Sequence, residues 1–195
     1  MIKIRIIKID DNEYSSSLRE IKDAPKKLFC EGNIDLLNTL CFSVIGSRKL
    51  TQYGKRIEEK FVRELTLRGI TIVSGMAVGG DSVAHKETLE VGGNTIAVLP
   101  CGLKNIYPKE NIELFHKIVE NGGLAITEYE ENVEATDDKF LKRNRIVSGL
   151  SKGVLVVEAK HRSGTSVTAR LAREQSRKVF ALPRKTRYDK WSWCK

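Results

Sequence analysis

The chain lacks any apolar run near the ~20 residues that a helix needs to cross a bilayer. Its amino terminus, Met1-Ile2-Lys3-Ile4-Arg5-Ile6-Ile7-Lys8-Ile9, alternates instead of forming the apolar block of a signal peptide. That alternation predicts a strand with one basic face. Together the two absences predict a cytoplasmic protein without a membrane partner. The four cysteines, Cys30, Cys41, Cys101 and Cys194, form no CxxC pair, and no histidine stands at zinc-ligand spacing from them. We expect no metal site and reduced thiols, with Cys41 a small buried hydrophobe at the start of a strand. His85, His116 and His161 are scattered, and the chain has neither an internal repeat nor a low-complexity tract. It has no G-x-S-x-G elbow, no G-x-x-x-x-G-K-[ST] P-loop and no G-x-G-x-x-G fingerprint. No catalytic constellation emerges, and no cofactor is expected. Carboxylates are also short: 25 Asp and Glu face 34 Lys and Arg, a net charge of +9. That excess favours a polyanionic partner and says nothing about fold.

What is present is a regular alternation. A chain of 195 residues fits one domain with a sizeable core. From residue 41 onward, short Val- and Ile-rich segments at 41–45, 70–74, 95–99, 124–127, 153–157 and 178–182 are bounded by Gly or Pro. That pattern predicts strands buried on both faces of a parallel sheet. Helices are expected between them at 52–68, 81–91, 109–120, 138–148 and 164–175. In the first of these, Ile57, Phe61 and Leu65 form an apolar stripe that Gly69 stops. The β-α-β succession implies right-handed crossovers and a doubly wound sheet. Residues 1–40 read as an N-terminal extension on the sheet edge, 41–183 as the main domain, and 184–195 as a basic tail with Trp191 and Trp193 as anchors.

In a doubly wound sheet, ligands bind at the carboxyl ends of the strands. After the first main strand comes Gly46-Ser47-Arg48-Lys49, which offers a tight turn, a hydroxyl and a cation near a helix N-terminus. After the second comes Ser74-Gly75-Met76-Ala77-Val78-Gly79-Gly80-Asp81, whose glycines admit backbone N–H groups to a phosphate, with Asp81 a possible helix cap. Ser163 and Gly164 open the last expected helix. Phe140, Arg143, Asn144 and Arg145, with Lys139 and Lys142, place two guanidinium forks, an amide, an aromatic ring and further charge in one short stretch. Guanidinium suits phosphate and aromatic rings suit unpaired bases, but the bland alternative is a solvated helix face. His85 reads as a helix-face histidine with a structural hydrogen bond. Glu128 and Glu158 are either paired acids or partners of backbone N–H groups or an arginine.

Several of these strings occur in a known order. Val44-Ile45-Gly46-Ser47-Arg48 is followed by Tyr53-Gly54, and Val73-Ser74-Gly75-Met76-Ala77-Val78-Gly79-Gly80-Asp81 runs on to Ala84-His85. Then come Cys101-Gly102-Leu103, Tyr107-Pro108, Phe140 with Arg143-Asn144-Arg145-Ile146-Val147-Ser148-Gly149, and Val156-Val157-Glu158-Ala159 with Ser163-Gly164-Thr165. From about Tyr14 to Pro183 the chain resembles the DNA-processing protein A family, also called Smf. It differs in Gly80, where an aliphatic residue is usual, and in Arg184 after Pro183, where a glycine is usual. It also reads as a shortened form without the C-terminal winged helix.

The resemblance implies an α/β, extended Rossmann-like, mostly parallel sheet. It implies single-stranded DNA as partner, a role in DNA uptake and natural transformation, a homodimer, and loading of a RecA-type recombinase, without catalysis. Carried over by position, phosphate contacts fall to Gly46, Ser47, Arg48, Ser74, Gly75, Gly79, Asn144, Ser163, Gly164 and Arg143 or Arg145, one of which is free to pair with Glu128 or Glu158. Lys139 and Lys142 add charge, and Phe140 stacks on a base. The rival readings are a nucleotide-sensing module and a nucleoside-monophosphate phosphoribohydrolase of the cytokinin-activating type. The latter's P-G-G-x-G-T mark is largely missing from Lys160-His161-Arg162-Ser163-Gly164-Thr165.

Overall fold

The computed structural model describes residues 4–160 and 162–183. The basic tail expected at 184–195, with Trp191 and Trp193, lies outside them, as do His161 and Cys194. The elements are β1 (Arg5–Lys8), α1 (Ser16–Arg19), β2 (Lys27–Gly32), β3 (Cys41–Ile45), α2 (Gln52–Thr66), β4 (Thr71–Ser74), α3 (Gly80–Glu90), β5 (Thr95–Val98), α4 (Ile112–Glu120), β6 (Leu124–Thr127), α5 (Asp137–Gly149), β7 (Gly153–Val156), α6 (Gly164–Glu174) and β8 (Lys178–Ala181). They build one eight-stranded sheet in the order β1-β2-β6-β5-β4-β3-β7-β8. The six strands from β6 to β8 run parallel. This is the α/β, extended Rossmann-like, doubly wound sheet expected, with an antiparallel edge.

Strand β2 had no sequence signal. Pro25 precedes it and Glu31 interrupts its apolar run, yet it pairs antiparallel with both β1 and β6. The first 40 residues therefore extend the sheet itself. The single basic face expected of the first strand does not form. Ile6 and Ile7 break the alternation, so Arg5 and Lys8 point to opposite faces, with Ile7 buried and Ile6 exposed.

Both sheet faces carry apolar cores. On one face Ile45, Val73, Ile96, Val98, Ile126 and Val154 meet Tyr14, Leu18, Ile146, Val147 and Leu150 from the N-terminal segment and α5. On the other, Val44, Ile72 and Leu155 meet Val62 and Ala84, and Ala97, Leu99 and Ala125 meet Leu114, Phe115 and Ile118 of α4. Strands β4, β5, β6 and β7 are buried along their whole length, so each Val or Ile in them adds about 1.5–3 kcal/mol of transfer free energy. Cys41 is buried and free, as expected of a small hydrophobe, and burial pushes its thiol up to about 11.

Of the stripe expected on helix α2, Ile57 and Leu65 pack half-buried against the core while Phe61 is exposed, and the fully buried row lies beside them. Gly54, Glu58, Val62 and Thr66 are buried, whereas Phe61 is 45% exposed. The i, i+4 row that meets the sheet lies one residue beyond Ile57-Phe61-Leu65. It carries Glu58 into the interior, where neither carboxyl oxygen finds a hydrogen-bond partner. Burial, reinforced by the negative charges of Asp81, Glu59 and Glu158, pushes the Glu58 carboxyl up to about 9. Glu58 is therefore an uncharged acid at neutral pH.

Candidate functional site

The chain reverses direction across the sheet at β3, whose neighbours are β4 and β7. At the carboxyl ends of these strands opens a cleft of about 460 Å³. Its lining comes from the β3–α2 loop (Gly46, Ser47, Arg48, Lys49), the β4–α3 loop and first turn of α3 (Gly75, Ala77, Asp81), α5 (Arg143, Asn144) and the β7–α6 loop and first turn of α6 (Lys160, Ser163, Gly164, Thr165). Four separate stretches of sequence thus converge at the switch point of the sheet, where such folds hold ligands.

The loops approach each other so closely because glycines leave room. A Cβ on Gly80 would lie 2.6 Å from the Gly46 Cα, so the glycine that departs from the family pattern is the one packed on Gly46. Gly79 adopts φ +88 with its Cα against the carbonyls of Ser47 and Arg48, and the Gly80 N–H donates to the Ser47 carbonyl at 3.1 Å. A Cβ on Gly75 would meet Asp81 Oδ2 at 2.6 Å and Arg143 Nη2 at 2.7 Å, so this glycine is wedged between a carboxylate and a guanidinium. Met76 takes φ +68, a costly region for a side chain of its size. It is fully buried, and Asn111 Nδ2 donates to its carbonyl at 2.8 Å.

The Arg143-Asn144-Arg145 triplet is buried in the middle of α5. That overturns the reading of it as a solvated helix face. Arg143 Nη1 donates to the carbonyls of Gly75 and Val98 and so ties together the ends of β4 and β5. Arg143 Nε donates to Asn144 Oδ1 at 3.3 Å, and Asn144 Nδ2 donates to the Gly164 carbonyl at 3.3 Å. The pair connects the cleft floor to the start of α6. Burial holds the Arg143 pKa below the usual arginine value, partly offset by Asp81. Burial likewise raises the Asp81 carboxyl, partly offset by Arg143. Asp81 does not cap α3 as expected; its carboxylate turns back to accept from the Ala77 N–H at 3.2 Å.

Arg145 points away from the cleft. Its Nη1 and Nη2 reach Glu128 Oε1 and Oε2 at 2.8 Å each, a bidentate fork, and its Nε reaches Asp23 Oδ2 at 3.0 Å. The two arginines are placed differently: Arg143 lines the cleft, and Arg145 pairs with Glu128. Glu158 has another partner. It accepts from the Thr51 N–H at 3.0 Å and the Thr51 hydroxyl at 2.5 Å, which closes the N-terminus of α2 with a carboxylate. Gly54 is the residue that admits it, since a Cβ there would lie 2.5 Å from Glu158 Oε1.

The other expected residues divide. Gly46, Ser47, Arg48, Gly75, Asn144, Ser163 and Gly164 line the cleft. Ser74 is buried beneath it, its hydroxyl donating to the Val44 carbonyl at 2.6 Å. Gly79 lines an adjoining groove that shares Arg48 and Lys49 with the cleft. Lys139 and Lys142 lie over the Tyr129 ring at 5.9 and 5.8 Å, and Lys142 also pairs with Glu128 at 3.4 Å. Both lysines are therefore engaged on the Glu128 side of α5. Phe140 stands at the cleft mouth with the guanidinium of Arg48 at 5.5 Å and that of Arg143 at 6.0 Å from its ring centre. His85 is fully buried and bonded to Thr95 Oγ1 at 2.7 Å, the structural role expected of it. Burial drops its pKa to about 3.

Lys160 and Thr165 also line the cleft without having been expected there: Lys160 sits in the loop after β7 and Thr165 in the first turn of α6, and their position near a strand's carboxyl end was the available signal. Arg48, Lys49 and Lys160 are exposed cations on the rim. Ser163 caps α6 by accepting from the Ser166 N–H at 3.3 Å. That leaves the first-turn N–H groups of Gly164 and Thr165, which no intrahelical partner satisfies, for an anion in the cleft. Among the described residues no group of three His, Cys, Asp or Glu is placed to hold a metal ion, and no helix is long and apolar enough to cross a membrane. The arrangement is suited to bind a phosphate under a cationic rim, with an aromatic surface beside it.

Residues 5–195 match the family model described as DNA recombination-mediator protein A. Protein Smf of Escherichia coli is 47% identical over 178 residues, covering 91% of this chain and 48% of that protein. The X-ray structure of DNA processing protein A from Streptococcus pneumoniae superposes with a TM-score of 0.87 at 41% identity, covering 94% of this chain and 64% of that one. The Helicobacter pylori DNA processing protein A, whose structure addresses its single-stranded DNA binding mode, gives a TM-score of 0.87 at 36% identity over 95% of this chain and 83% of that one. The chain spans about half to three fifths of the length of the curated relatives it matches. The family match across almost the whole chain, the relatives' identity and the shared fold lead to one conclusion: this chain belongs to the DNA recombination-mediator protein A family.

Proposed function

We propose that the chain binds single-stranded DNA without catalysis, as a cytoplasmic recombination mediator of the DNA-processing type. Its finer role is DNA uptake in natural transformation and the loading of a RecA-type recombinase, with a homodimer as the working form. The observation that carries the DNA-binding reading is Arg48, which lines the cleft and also lies over the Phe140 ring outside it. One side chain thus joins a phosphate seat to an aromatic surface, so a bound phosphate has room for its base beside the cleft. The family relationship supports the same ligand.

In this reading the phosphate sits against Gly46, Ser47, Gly75, Ser163, Gly164 and Thr165, with Arg48, Lys49 and Lys160 supplying exposed charge. Arg143 and Asn144 act by holding the loops in place. The test is titration of a labelled oligo-dT against salt, with AMP as competitor. Binding at low salt that weakens with a log–log slope of about −0.7 per phosphate contacted supports the proposal. Tighter binding of AMP than of the oligonucleotide, or release of adenine from AMP, overturns it.

A further inference from the structure

Phe140 is half-buried, and its ring already carries two guanidinium groups. Beside it stands a second ring that no cation covers among the described residues. Tyr107, in the loop between β5 and α4, meets Phe140 edge-on, with ring centres 5.7 Å apart and planes at 75°. Tyr107 is 48% exposed, a large apolar surface left to solvent at the mouth of a cationic cleft. Its loop is well anchored. The Gly102 N–H donates to the Val133 carbonyl at 2.8 Å, and beyond Pro108 the Asn111 amide donates to the Met76 carbonyl at 2.8 Å and to Ser82 Oγ at 2.9 Å. A ring held on such a loop is pre-organised, so a base stacking on it costs little ordering.

We infer that Tyr107 is a base-stacking residue of the DNA interface, with Phe140 as its edge-on support and Arg48, over the Phe140 ring, linking that support to the phosphate cleft. This inference rests on the single-stranded DNA reading. The phosphate of one nucleotide occupies the cleft while an adjacent base lies flat on Tyr107. Any base presents a π-face, so the contact grips the strand without selecting sequence.

The experiment compares oligo-dT affinity of the wild-type chain with Tyr107→Phe and Tyr107→Leu, using intact oligonucleotides and a set in which a single abasic site is walked along the strand. Tyr107→Phe keeps wild-type affinity, whereas Tyr107→Leu, which keeps bulk but not the ring, loses about tenfold. One abasic position costs the wild type a similar factor and costs Tyr107→Leu nothing further. If Tyr107→Leu binds within twofold of wild type while Arg48→Ala is weakened, the inference is overturned and the DNA reading stands. If the wild type does not bind oligo-dT at low salt, the DNA reading itself is overturned, and the inference with it.

Discussion

Arg143 and Arg145 are two residues apart and have opposite fates. At 3.6 residues per turn they project about 200° apart around α5. One therefore faces the sheet end and the cleft, and the other faces Glu128 and Asp23. The residue types were legible in the sequence as phosphate-seeking chemistry, but their partners were not. Those partners come from Asp23, Gly75, Val98 and Glu128, which only the fold brings to α5. Arg145→Ala removes the bidentate partner of Glu128, whose side chain is 10% exposed, and leaves it only Lys142 at 3.4 Å. It is expected to cost about 1.5–3 kcal/mol in denaturant unfolding, while the folded fraction binds oligo-dT as before. Arg48→Ala is expected to do the reverse, weakening binding several-fold with unfolding unchanged within about 0.5 kcal/mol, as for most surface substitutions.

Glu58 gives a second prediction at this scale. Its pKa is raised from 4.5 to about 9 in the folded chain, so the folded state holds a proton that the unfolded state releases. Its contribution to stability is fully present below pH 4.5 and is lost as pH rises toward 9. By pH 7 the loss amounts to about 3 kcal/mol. His85, with its pKa lowered to about 3, works in the opposite sense: its stability is present above its ordinary value of 6.5 and lost as pH falls through that window. Thermal unfolding of Glu58→Gln between pH 5 and 9 should show a flatter pH dependence than wild type. Parallel profiles would contradict a neutral buried Glu58.

At the scale of elements, β3 to β7 were readable because burial on both faces leaves each a short apolar run bounded by Gly or Pro, whereas β8, a largely exposed edge strand, was readable only from its Val and Phe before Pro183. Helix faces were harder. Periodicity assigned α2 the stripe through Phe61, but Gly54, Glu58, Val62 and Thr66 form the buried row. A glycine, an acid and a threonine disguise that row, since Gly54 exists to admit Glu158 and Glu58 is buried uncharged. Gly75 makes the element-level prediction. A methyl group there would lie 2.6 Å from Asp81 and 2.7 Å from Arg143. Gly75→Ala should therefore displace the Arg143 brace between β4 and β5. It should lower both stability and oligo-dT affinity, whereas Gly92→Ala, with open space around the position but φ +69, should lower stability alone. The start of α6 adds a smaller effect. Ser163→Ala removes the capping box and should cost about 0.5–2 kcal/mol in unfolding.

For the whole molecule, the net charge of +9 pointed to a polyanion before any fold was known. It did not show that much of the positive charge near the site is already paired. Arg145 and Lys142 contact Glu128, and Arg143 holds backbone carbonyls. Among the described residues, the exposed cations lining the cleft are Arg48, Lys49 and Lys160, on loops at one sheet edge. The most direct measurement is the salt dependence of oligo-dT affinity for wild type and Arg48→Ala, each with AMP as competitor. The account predicts that wild-type affinity falls as salt rises, that Arg48→Ala flattens the log–log slope by about 0.7, and that AMP competes only weakly. A salt-independent affinity, an unchanged slope in Arg48→Ala, or displacement of the oligonucleotide by equimolar AMP would contradict it.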